Sequence, residues 1–535
     1  MRLVLSFLFL AVAECGSHSF NILVYNIKSG HSHASFMGRI ADILVDAGHN
    51  VTTLVSVLTP NVADGTTKSK IIYVPYFMNN LTKWEFNYTE DDELSAQLFL
   101  GSSRSLASML VWVPSLRKEF NEQCTQLLNW PGLVDKLEAL KYDVVIGETF
   151  DFCGFGLAHQ IKAKSVVGVS STHMVDYASW HIGSPLPFSY LPSSHGFHME
   201  SYSLWERAYN LVAFGASYYF YQQMAAAAED AFRTKYGPGF PSVSELLAES
   251  AFFLTAGEPL VDLGRPTLRK IVDIGGLGIR ISKPLPKEYN DLLSLRPQTV
   301  VVSFGSVTRA ASMPPEFKSG LAKAFARFPN VTFLWKYEEP ENAYGLGIPD
   351  NVLLRAWLPQ NDLLDDPRVV GLISHGGKTS ISEAAEKGMP TIFVPIFGDQ
   401  SRNGASAVHS GFGILMDKID LADENVIYDN IYKLLHTESL HVAARKVKEI
   451  LASRPFTSPE LLIKHVEFAA KFGAIKALDP QGRHLPFYVY YNLDLFFIVL
   501  VTLGGAVYCM LYLFKIVLCS PNNKKSERSK KQKKL

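Results

Sequence analysis

The sequence predicts an α/β protein with two parallel, doubly wound sheets and one membrane-spanning helix near its C-terminus. Two stretches of the chain alternate short apolar strands with helical segments. A Pro- and Gly-rich stretch, residues 275–297, separates these two regions. Near the end, about 20 uncharged residues at 495–514 are enough to cross a bilayer as a helix. A length of 535 residues fits more than one domain.

The first region begins with a β-α-β unit. "FNILVYN" at 20–26 is a nearly continuous apolar run, as in a strand buried on both faces. Apolar residues at helical spacing follow between 36 and 45 and end at Gly48. "VTTLVSVL" is the next strand, and "DVVIGE" and "SVVGVSS" continue the series. We therefore predict an N-terminal Rossmann-like domain over residues 16–285.

The second region repeats the alternation. "TVVVSFGS" starts it as a strand that ends in a tight turn, and "PEFKSGLAKAFARF" follows as an amphipathic helix. Further strands are "VTFLWKY", "VLLRAWLP", "VVGLISHGG" and "MPTIFVP". Buried strands separated by helices predict a second parallel sheet, in a C-terminal Rossmann-like domain over residues 286–480.

The segment from Trp205 to Phe232 has no charge between Ala208 and Ala228, yet it contains Asn210 and two glutamines. The pattern favours a helix that packs on the protein or lies in a membrane interface, rather than one that crosses the bilayer.

Both ends of the chain carry targeting features. Residues 1–15 resemble a removable signal peptide, with Arg2 ahead of an apolar run and a small-residue cleavage pattern. The predicted transmembrane helix, 495–514, precedes a basic tail, 515–535, which the positive-inside rule places in the cytosol. The body would then be lumenal, in a single-pass type I protein. Lys531 and Lys533 resemble an endoplasmic reticulum retrieval signal, although a plain basic flank would look similar.

Composition and net charge limit the classes of molecule that the protein can bind. Hydrophobic residues make up 47% of the chain, and the formal net charge is zero, which excludes nucleic acid as a main partner. Cys124 and Cys153 are the two cysteines of the expected lumenal body, and the sequence leaves open whether they are bridged. N-glycosylation sequons, which suit a lumenal body, occur at Asn50, Asn80, Asn87 and Asn330.

A candidate phosphate site lies where a strand meets a helix at His375, Gly376 and Gly377. Glycines allow a phosphate to approach the backbone, and the free N–H groups of a helix start carry partial positive charge. A plain β-to-α turn is the alternative. The chain has no G-x-G-x-x-G after a strand and no P-loop motif, so a dinucleotide site is not indicated.

Two carboxylates near this turn could either cap a helix or bind a ligand. Ser380 and Glu383 fit the S-x-x-E capping box, which the spacing favours, but Glu383 could instead accept hydrogen bonds from a ribose. Asp399 could cap the next helix or hold a ligand hydroxyl.

Four motifs occur in a fixed order: "FGS" at 304–306, "WLPQNDLL" at 357–364, "SHGG…E" at 374–383 and "PIFGDQ" at 395–400. Together they resemble the UDP-glycosyltransferase signature, and most of all the membrane-anchored UDP-glucuronosyltransferase branch. The resemblance covers nearly the whole chain. It implies a fold of the GT-B type, with a UDP-sugar as co-substrate and no cofactor. Since no D-x-D pattern stands at the donor turn, we also expect no metal.

The resemblance implies roles at the donor side. Trp357 would stack on uracil with Gln360 beside the base, Glu383 would bind the ribose, and Asp399 and Gln400 would hold hydroxyls of the sugar.

The diphosphate would lie against Ser306, His375, Gly376 and Gly377. Thr379 stands where the family often has Asn, so it offers fewer hydrogen bonds there.

The family places its general base on a His after the first strand, and counting back from Gly48 selects His33 rather than His31. The helix N-terminus should keep His33 neutral. The family pairs this His with an Asp, but here the strand delivers Glu148, and Asp151 is the substitute candidate.

The predicted function is inverting transfer of glucuronic acid or glucose from the UDP-sugar to a hydroxyl of a small lipophilic acceptor, in detoxification at the endoplasmic reticulum membrane. A carboxylate on the sugar would want a cation, and only Arg402 is near, where we expect a solvated helix residue. The alternative is a non-catalytic lumenal binder in which Glu148 and Thr379 mark a decayed site. The family often self-associates, so a homo-oligomer is possible.

Overall fold

The computed structural model describes residues 19–74, 92–197, 199–343 and 347–519. The expected signal peptide, the Asn80 and Asn87 sequons and most of the basic tail lie outside these ranges. The chain divides into two compact units, one ending at Leu478 and the other beginning at Asp479.

The first unit contains two parallel sheets, as predicted. The first sheet has seven strands in the order β3-β2-β1-β4-β5-β6-β7. They are β1 (Asn21–Lys28), β2 (Asn50–Val57), β3 (Lys70–Val74), β4 (Val144–Glu148), β5 (Ser165–Ser170), β6 (Phe252–Thr255) and β7 (Ile271–Asp273). All residues of β4 are buried, as its continuous apolar run predicts.

The second sheet has six strands in the order β10-β9-β8-β11-β12-β13. They are β8 (Gln298–Ser303), β9 (Val331–Lys336), β10 (Val352–Arg355), β11 (Val369–Ser374), β12 (Thr391–Phe393) and β13 (Gly413–Leu415). We call the first sheet with its helices the first lobe, and the second sheet with its helices the second lobe.

Helices cover both faces of each sheet. In the first half they are α1 (His31–Asp46), α2 (Asp92–Phe99), α3 (Leu106–Leu110), α4 (Val113–Asn129), α5 (Leu133–Ala139), α6 (Cys153–Gln160), α7 (Asp176–Ile182), α8 (Leu204–Tyr236) and α9 (Val243–Ala248). In the second half they are α10 (Lys287–Leu293), α11 (Pro315–Ala326), α12 (Gln360–Leu363), α13 (Lys378–Lys387), α14 (Gln400–His409), α15 (Glu424–His436), α16 (Glu438–Ala452) and α17 (Ser458–Phe472).

The lobes exchange segments, so the predicted boundaries do not separate the two cores. Val466 and Ala469 of α17 are buried with Ile22 in a core cluster of the first lobe, although they belong to the range 286–480. In the opposite direction, Phe99 is buried in a core cluster of the second lobe. Local patterns indicate that these residues are buried, but not in which lobe.

Helix α8 packs on the protein along one face, which buries Phe220 and Met224 against the first lobe. Its first turns remain exposed, with Leu204 and Trp205 each about three-quarters accessible. Of the helices in the described part of the chain, only Leu493–Cys519 is long and apolar enough to cross a membrane.

That helix, α19 (Leu493–Cys519), follows the short α18 (Phe487–Tyr490) in the second unit. Its 27 residues extend beyond the predicted 495–514 at both ends and span about 40 Å.

The two cysteines left open by the sequence form a disulfide. Cys124 in α4 is bridged to Cys153, the first residue of α6, and both are buried in the first lobe.

The bridge closes a loop of 29 residues, and a cross-link of this length restricts the unfolded chain. We expect the double substitution Cys124→Ser and Cys153→Ser to lower the free energy of unfolding by about 3–4 kcal/mol in chemical denaturation. The double substitution of the exposed free thiols, Cys509→Ser and Cys519→Ser, is the control and should change nothing. An unaltered denaturation midpoint in the first variant would contradict a stabilising bridge.

Candidate active site

Each sheet has a crevice where its strand order reverses, between β1 and β4 in the first lobe and between β8 and β11 in the second. Open parallel sheets bind ligands at such points, beyond the carboxyl ends of the strands. His33 follows β1 and Glu148 ends β4, while Ser306 follows β8 and His375 follows β11. The chain thus places the main candidate residues at both crevices.

The first crevice holds a histidine–carboxylate pair. Nδ1 of His33 lies 2.6 Å from Oε1 of Glu148, whose side chain is almost fully buried. The hydroxyl of Ser171 is 3.0 Å from the same nitrogen. The ring of Phe150 stacks on the imidazole at a centroid distance of 4.5 Å. The contacts fix the ring so that Nε2 is the nitrogen left for a substrate.

Glu148, not Asp151, is therefore the partner of His33. The Asp151 carboxylate instead accepts a hydrogen bond of 2.5 Å from the hydroxyl of Tyr25. Burial, together with the nearby charge of Glu148, raises the pKa of Asp151 to about 7. Two buried carboxylates this close disfavour each other's charge.

The expectation that His33 stays neutral because of the helix N-terminus is not supported. Burial lowers the pKa of His33, but the charge and hydrogen bond of Glu148, together with Asp399 and Asp151, outweigh burial and raise that pKa above 6.5. The effect of a helix start is small beside a carboxylate in contact. Asp399 belongs to the second lobe, so the two lobes face each other across one cleft.

The second crevice is built around His375. A methyl group on either Gly305 or Gly377 would lie 2.6 Å from Nε2 of this ring, so both positions need glycine. Gly305 also has a φ of +93°, which favours glycine. Burial, and then the charge of Lys336, lowers the pKa of His375 to about 4. A neutral imidazole thus lies between two bare backbone turns at the start of α13.

Lys336 is a cation at this site that the sequence analysis missed. Its ammonium donates a 2.6 Å hydrogen bond to the carbonyl of Gly305 and lies 5.4 Å from the ring centroid of Trp357. Its side chain is only 9% exposed. The sequence did hold one indication of this residue, because a lysine ends an otherwise apolar strand.

Trp357 presents its ring to the cleft and is 58% exposed. Across from it, His31 of the first lobe approaches edge-on at 6.3 Å. A planar base could therefore contact the indole face, as the resemblance implies.

Gln360 and Glu383 meet next to this ring. The amide of Gln360 donates a 2.6 Å hydrogen bond to the Glu383 carboxylate, and burial raises the pKa of Glu383 to about 7. The capping-box interpretation is wrong, because α13 begins at Lys378 and Gly377 is its N-cap. Ser380 lies inside the helix and is 3.4 Å from the Gln360 amide.

The turn before α14 holds Asp399 and Gln400. Asp399 occupies the N-cap position, but its side chain makes no capping hydrogen bond and accepts instead from Asn403 at 2.8 Å. The side-chain oxygen of Gln400 accepts from the amides of Ile396 and Phe397, at 2.7 and 3.0 Å. These bonds hold the turn rigid beside the cleft.

Of the remaining predicted donor residues, Gly376 is buried, whereas Ser306 and Thr379 are accessible. Ser306 is partly exposed, and Thr379 is exposed in the first turn of α13. Asn50 and Asn330, the two sequons within the described ranges, are also exposed.

Arg402 is not the solvated residue that we expected. It is 5% exposed, and its guanidinium donates a 2.9 Å hydrogen bond to the carbonyl of Pro192 in the first lobe. Lys378 makes a second bridge, with its ammonium 2.9 Å from both carboxylate oxygens of Asp262. Both cations join the lobes.

Within the described ranges, no group of three or more His, Cys, Asp or Glu side chains is placed to hold a metal ion. The expectation of a metal-free reaction stays a prediction.

Comparison with known proteins identifies the protein family to which the chain belongs. Residues 21–526 match the model of the family described as "UDP-glucoronosyl and UDP-glucosyl transferase". The chain belongs to this family of glycosyltransferases.

Proteins with similar sequences match this chain over nearly its full length. The protein ugt-48 of Caenorhabditis elegans is 28% identical over 532 residues, which cover 97% of this chain and 98% of that protein. UDP-glucuronosyltransferase 3A2 of Homo sapiens is 28% identical over 489 residues, 90% of each chain. Among solved structures, CalG4, the calicheamicin glycosyltransferase, has a TM-score of 0.55 at 18% identity and covers 85% of this chain and 99% of its own. That structural similarity supports the GT-B fold.

The pKa of His33 can be tested directly. Removing the carboxylate by Glu148→Gln takes away the charge that stabilises the imidazolium while burial remains, so the pKa of His33 should fall. The rate of His33 modification by diethyl pyrocarbonate, followed by mass spectrometry across pH, reports this pKa, because only the neutral ring reacts. Wild-type protein should show a midpoint above 6.5, and the variant a lower one.

Glu138→Gln is the matched control, since that carboxylate pairs with the exposed Lys162. The assignment of Glu148 as the partner fails if Glu148→Gln leaves the midpoint in place.

Proposed function

We propose that the protein transfers a sugar from a UDP-sugar to a hydroxyl of a small lipophilic acceptor, with inversion at the anomeric carbon. The observation that carries this proposal is the arrangement of the His33–Glu148 pair in one lobe and the glycine-lined His375 turn in the other, both at strand-order reversals that open on one cleft.

The donor binds along the second lobe. Uracil stacks on Trp357, where a rigid indole gives contact area at low entropic cost. Glu383, held by Gln360, accepts the ribose hydroxyls. The diphosphate lies against the first amides of α13 and the side chains of His375 and Ser306.

Lys336 strengthens this arrangement. Its ammonium holds the carbonyl of Gly305 and so orients the Phe304–Ser306 turn toward the phosphates. Its charge also compensates part of the negative charge that grows on the leaving diphosphate.

The acceptor is activated from the first lobe. Nε2 of His33 takes the hydroxyl proton, and the acceptor oxygen attacks the anomeric carbon as the bond to UDP breaks. The imidazolium formed is stabilised by the Glu148 carboxylate at Nδ1, which also fixes the tautomer. Attack on the face opposite the leaving UDP inverts the anomeric configuration.

The sugar of the donor is glucuronic acid or glucose. Asp399 and Gln400 contact its hydroxyls from the rigid turn before α14. The human relative's name, UDP-glucuronosyltransferase 3A2, supports glucuronic acid. Arg402 does not support glucuronic acid as the donor sugar, because its guanidinium is hydrogen-bonded to the carbonyl of Pro192.

The proposed cellular setting rests on the predicted signal peptide and on helix α19. Helix α19 anchors the protein as a single span in the endoplasmic reticulum membrane, with the body lumenal and glycosylated at Asn50 and Asn330. Lipophilic acceptors concentrate in that membrane, which fits a role in detoxification. The alternative of a decayed binding protein loses its main argument, since Glu148 reaches His33.

His33→Ala removes the base, so turnover at saturating donor should fall by about 10²–10⁴-fold. Binding of UDP should stay close to wild type, because the groups proposed to hold UDP all belong to the second lobe. The measurement is product formation by membranes or detergent-solubilised full-length protein with a phenol acceptor and each UDP-sugar, alongside calorimetry with UDP.

His159→Ala is the control, since His159 is an exposed histidine of α6 in the same lobe. It should retain the wild-type turnover number. Wild-type turnover in His33→Ala would refute the general-base assignment.

A further inference from the structure

A segment of the first lobe is built into the second. We call residues 96–105 the clasp; they include the end of α2 and precede α3. Phe99 is fully buried, and its ring lies 6.5 Å from those of Phe304 and Phe317. Leu98 packs against the same core of the second lobe. The chain therefore inserts an aromatic anchor across the lobe boundary.

Polar contacts hold the clasp in place. The ammonium of Lys418 donates to the carbonyl of Leu98 at 2.6 Å and to the carbonyl of Ile396 at 3.0 Å. The Asp417 carboxylate accepts from the Ser102 hydroxyl and from the Ser103 amide. Lys418 is 1% exposed, and a buried ammonium must keep such partners.

The other end of the clasp is fixed to the first lobe. The carbonyl of Arg104 accepts a hydrogen bond from the hydroxyl of Tyr209 in α8. The guanidinium of Arg104 lies 4.9 Å from the centroid of the Phe197 ring. Shortly afterwards, Met109 and Trp112 pack against the first-lobe core. The chain passes from one core to the other within about ten residues, so movement of one lobe pulls on the other.

The clasp contacts one turn that carries donor residues directly and the other through Lys418. Phe304, against which Phe99 packs, directly precedes Gly305 and Ser306, and Gly305 lies against His375. Ile396, whose carbonyl binds Lys418, has its amide bound by the side chain of Gln400.

We propose that Phe99 and Lys418 are positioning residues that hold the two donor turns, so that the UDP-sugar site is complete only when the first lobe's clasp is docked on the second lobe. This proposal rests on the proposed function and adds to it a physical link between the acceptor lobe and donor affinity.

The link predicts a specific kinetic pattern. Removing the Phe99 ring leaves a void behind Phe304, and the turn ahead of Ser306 can then shift. Misplacement of binding groups by about 1 Å costs on the order of 100-fold. His33 lies in the other lobe, and its contacts with Glu148 and Phe150 are untouched.

The experiment uses the full-length protein with Phe99→Ala, Phe99→Leu and Phe325→Ala. Phe325 is a fully buried ring of the same core that stacks on Phe333, and in the described part of the chain it has no ring contact with Phe304. Calorimetry measures the Kd of UDP, kinetics give KM for donor and acceptor separately, and thermal unfolding reports stability.

Phe99→Ala should weaken UDP binding and raise the donor KM by roughly 10- to 100-fold, with the acceptor KM unchanged. Phe99→Leu should recover most of the loss. Phe325→Ala should lower the unfolding temperature without the donor effect. Unchanged UDP affinity in Phe99→Ala, or equal donor effects in the Phe99→Ala and Phe325→Ala variants, overturns the proposal.

Asp417→Asn covers the case in which Phe99→Ala fails to fold. It weakens the contacts to Ser102 and Ser103, together with the cap on the Ile419 amide, at a partly accessible position, and it should raise the donor KM alone. A wild-type donor KM there overturns the proposal. If wild-type protein itself does not bind UDP, the proposed function fails, whereas normal UDP binding by every variant removes only the role of the clasp.

Discussion

The contact between His33 and the buried carboxylate of Glu148 is the interaction on which the site depends. A carboxylate excluded from water needs a partner, and the imidazole is the group that supplies it. The same contact orients the ring, selects its tautomer and raises its pKa. The resemblance implies Asp at this position, and the Glu148 side chain is long enough to reach Nδ1 of His33 in its place.

A second constraint joins the lobes into one body. The bridge from Lys378 to Asp262 is largely buried, and losing one partner of a buried pair costs about 3–5 kcal/mol. Lys378 is the first residue of the helix that faces the diphosphate, so this bridge ties the donor turn to the first lobe. Helix α17 and the clasp cross the boundary in opposite directions. The relative position of the two crevices is thus set by several independent contacts.

The sequence predicted both sheets and the residues at their strand ends, because parallel strands buried on two faces read as apolar runs and their ends are marked by glycine and polar residues. It could not decide between Glu148 and Asp151, since both follow the same strand and only the backbone turn directs one of them to His33. The helix-start argument for a neutral His33 failed because it weighed a local dipole without the carboxylate from another strand. Arg402 was expected to be solvated because its partner, the carbonyl of Pro192, comes from the other lobe.

Residues whose role depends on distant packing were also missed. Lys336 ends a strand whose pattern is typical of the core, and its place at the site depends on Gly305 and Trp357, which follow other strands. Phe99 lies in a segment with weak periodicity and is buried only by the opposite lobe. Local sequence spacing does not indicate contacts between residues that are far apart in the chain.

The central claim is that one cleft brings the acceptor hydroxyl to His33 while the diphosphate rests at the His375 turn. The most direct test is an experimental structure of the full chain with UDP and a phenol bound. We expect the phenol oxygen within about 3 Å of Nε2 of His33 and the diphosphate within hydrogen-bonding distance of the amides that open α13. A diphosphate bound elsewhere, or a phenol whose oxygen contacts no group of the His33–Glu148 pair, would contradict it.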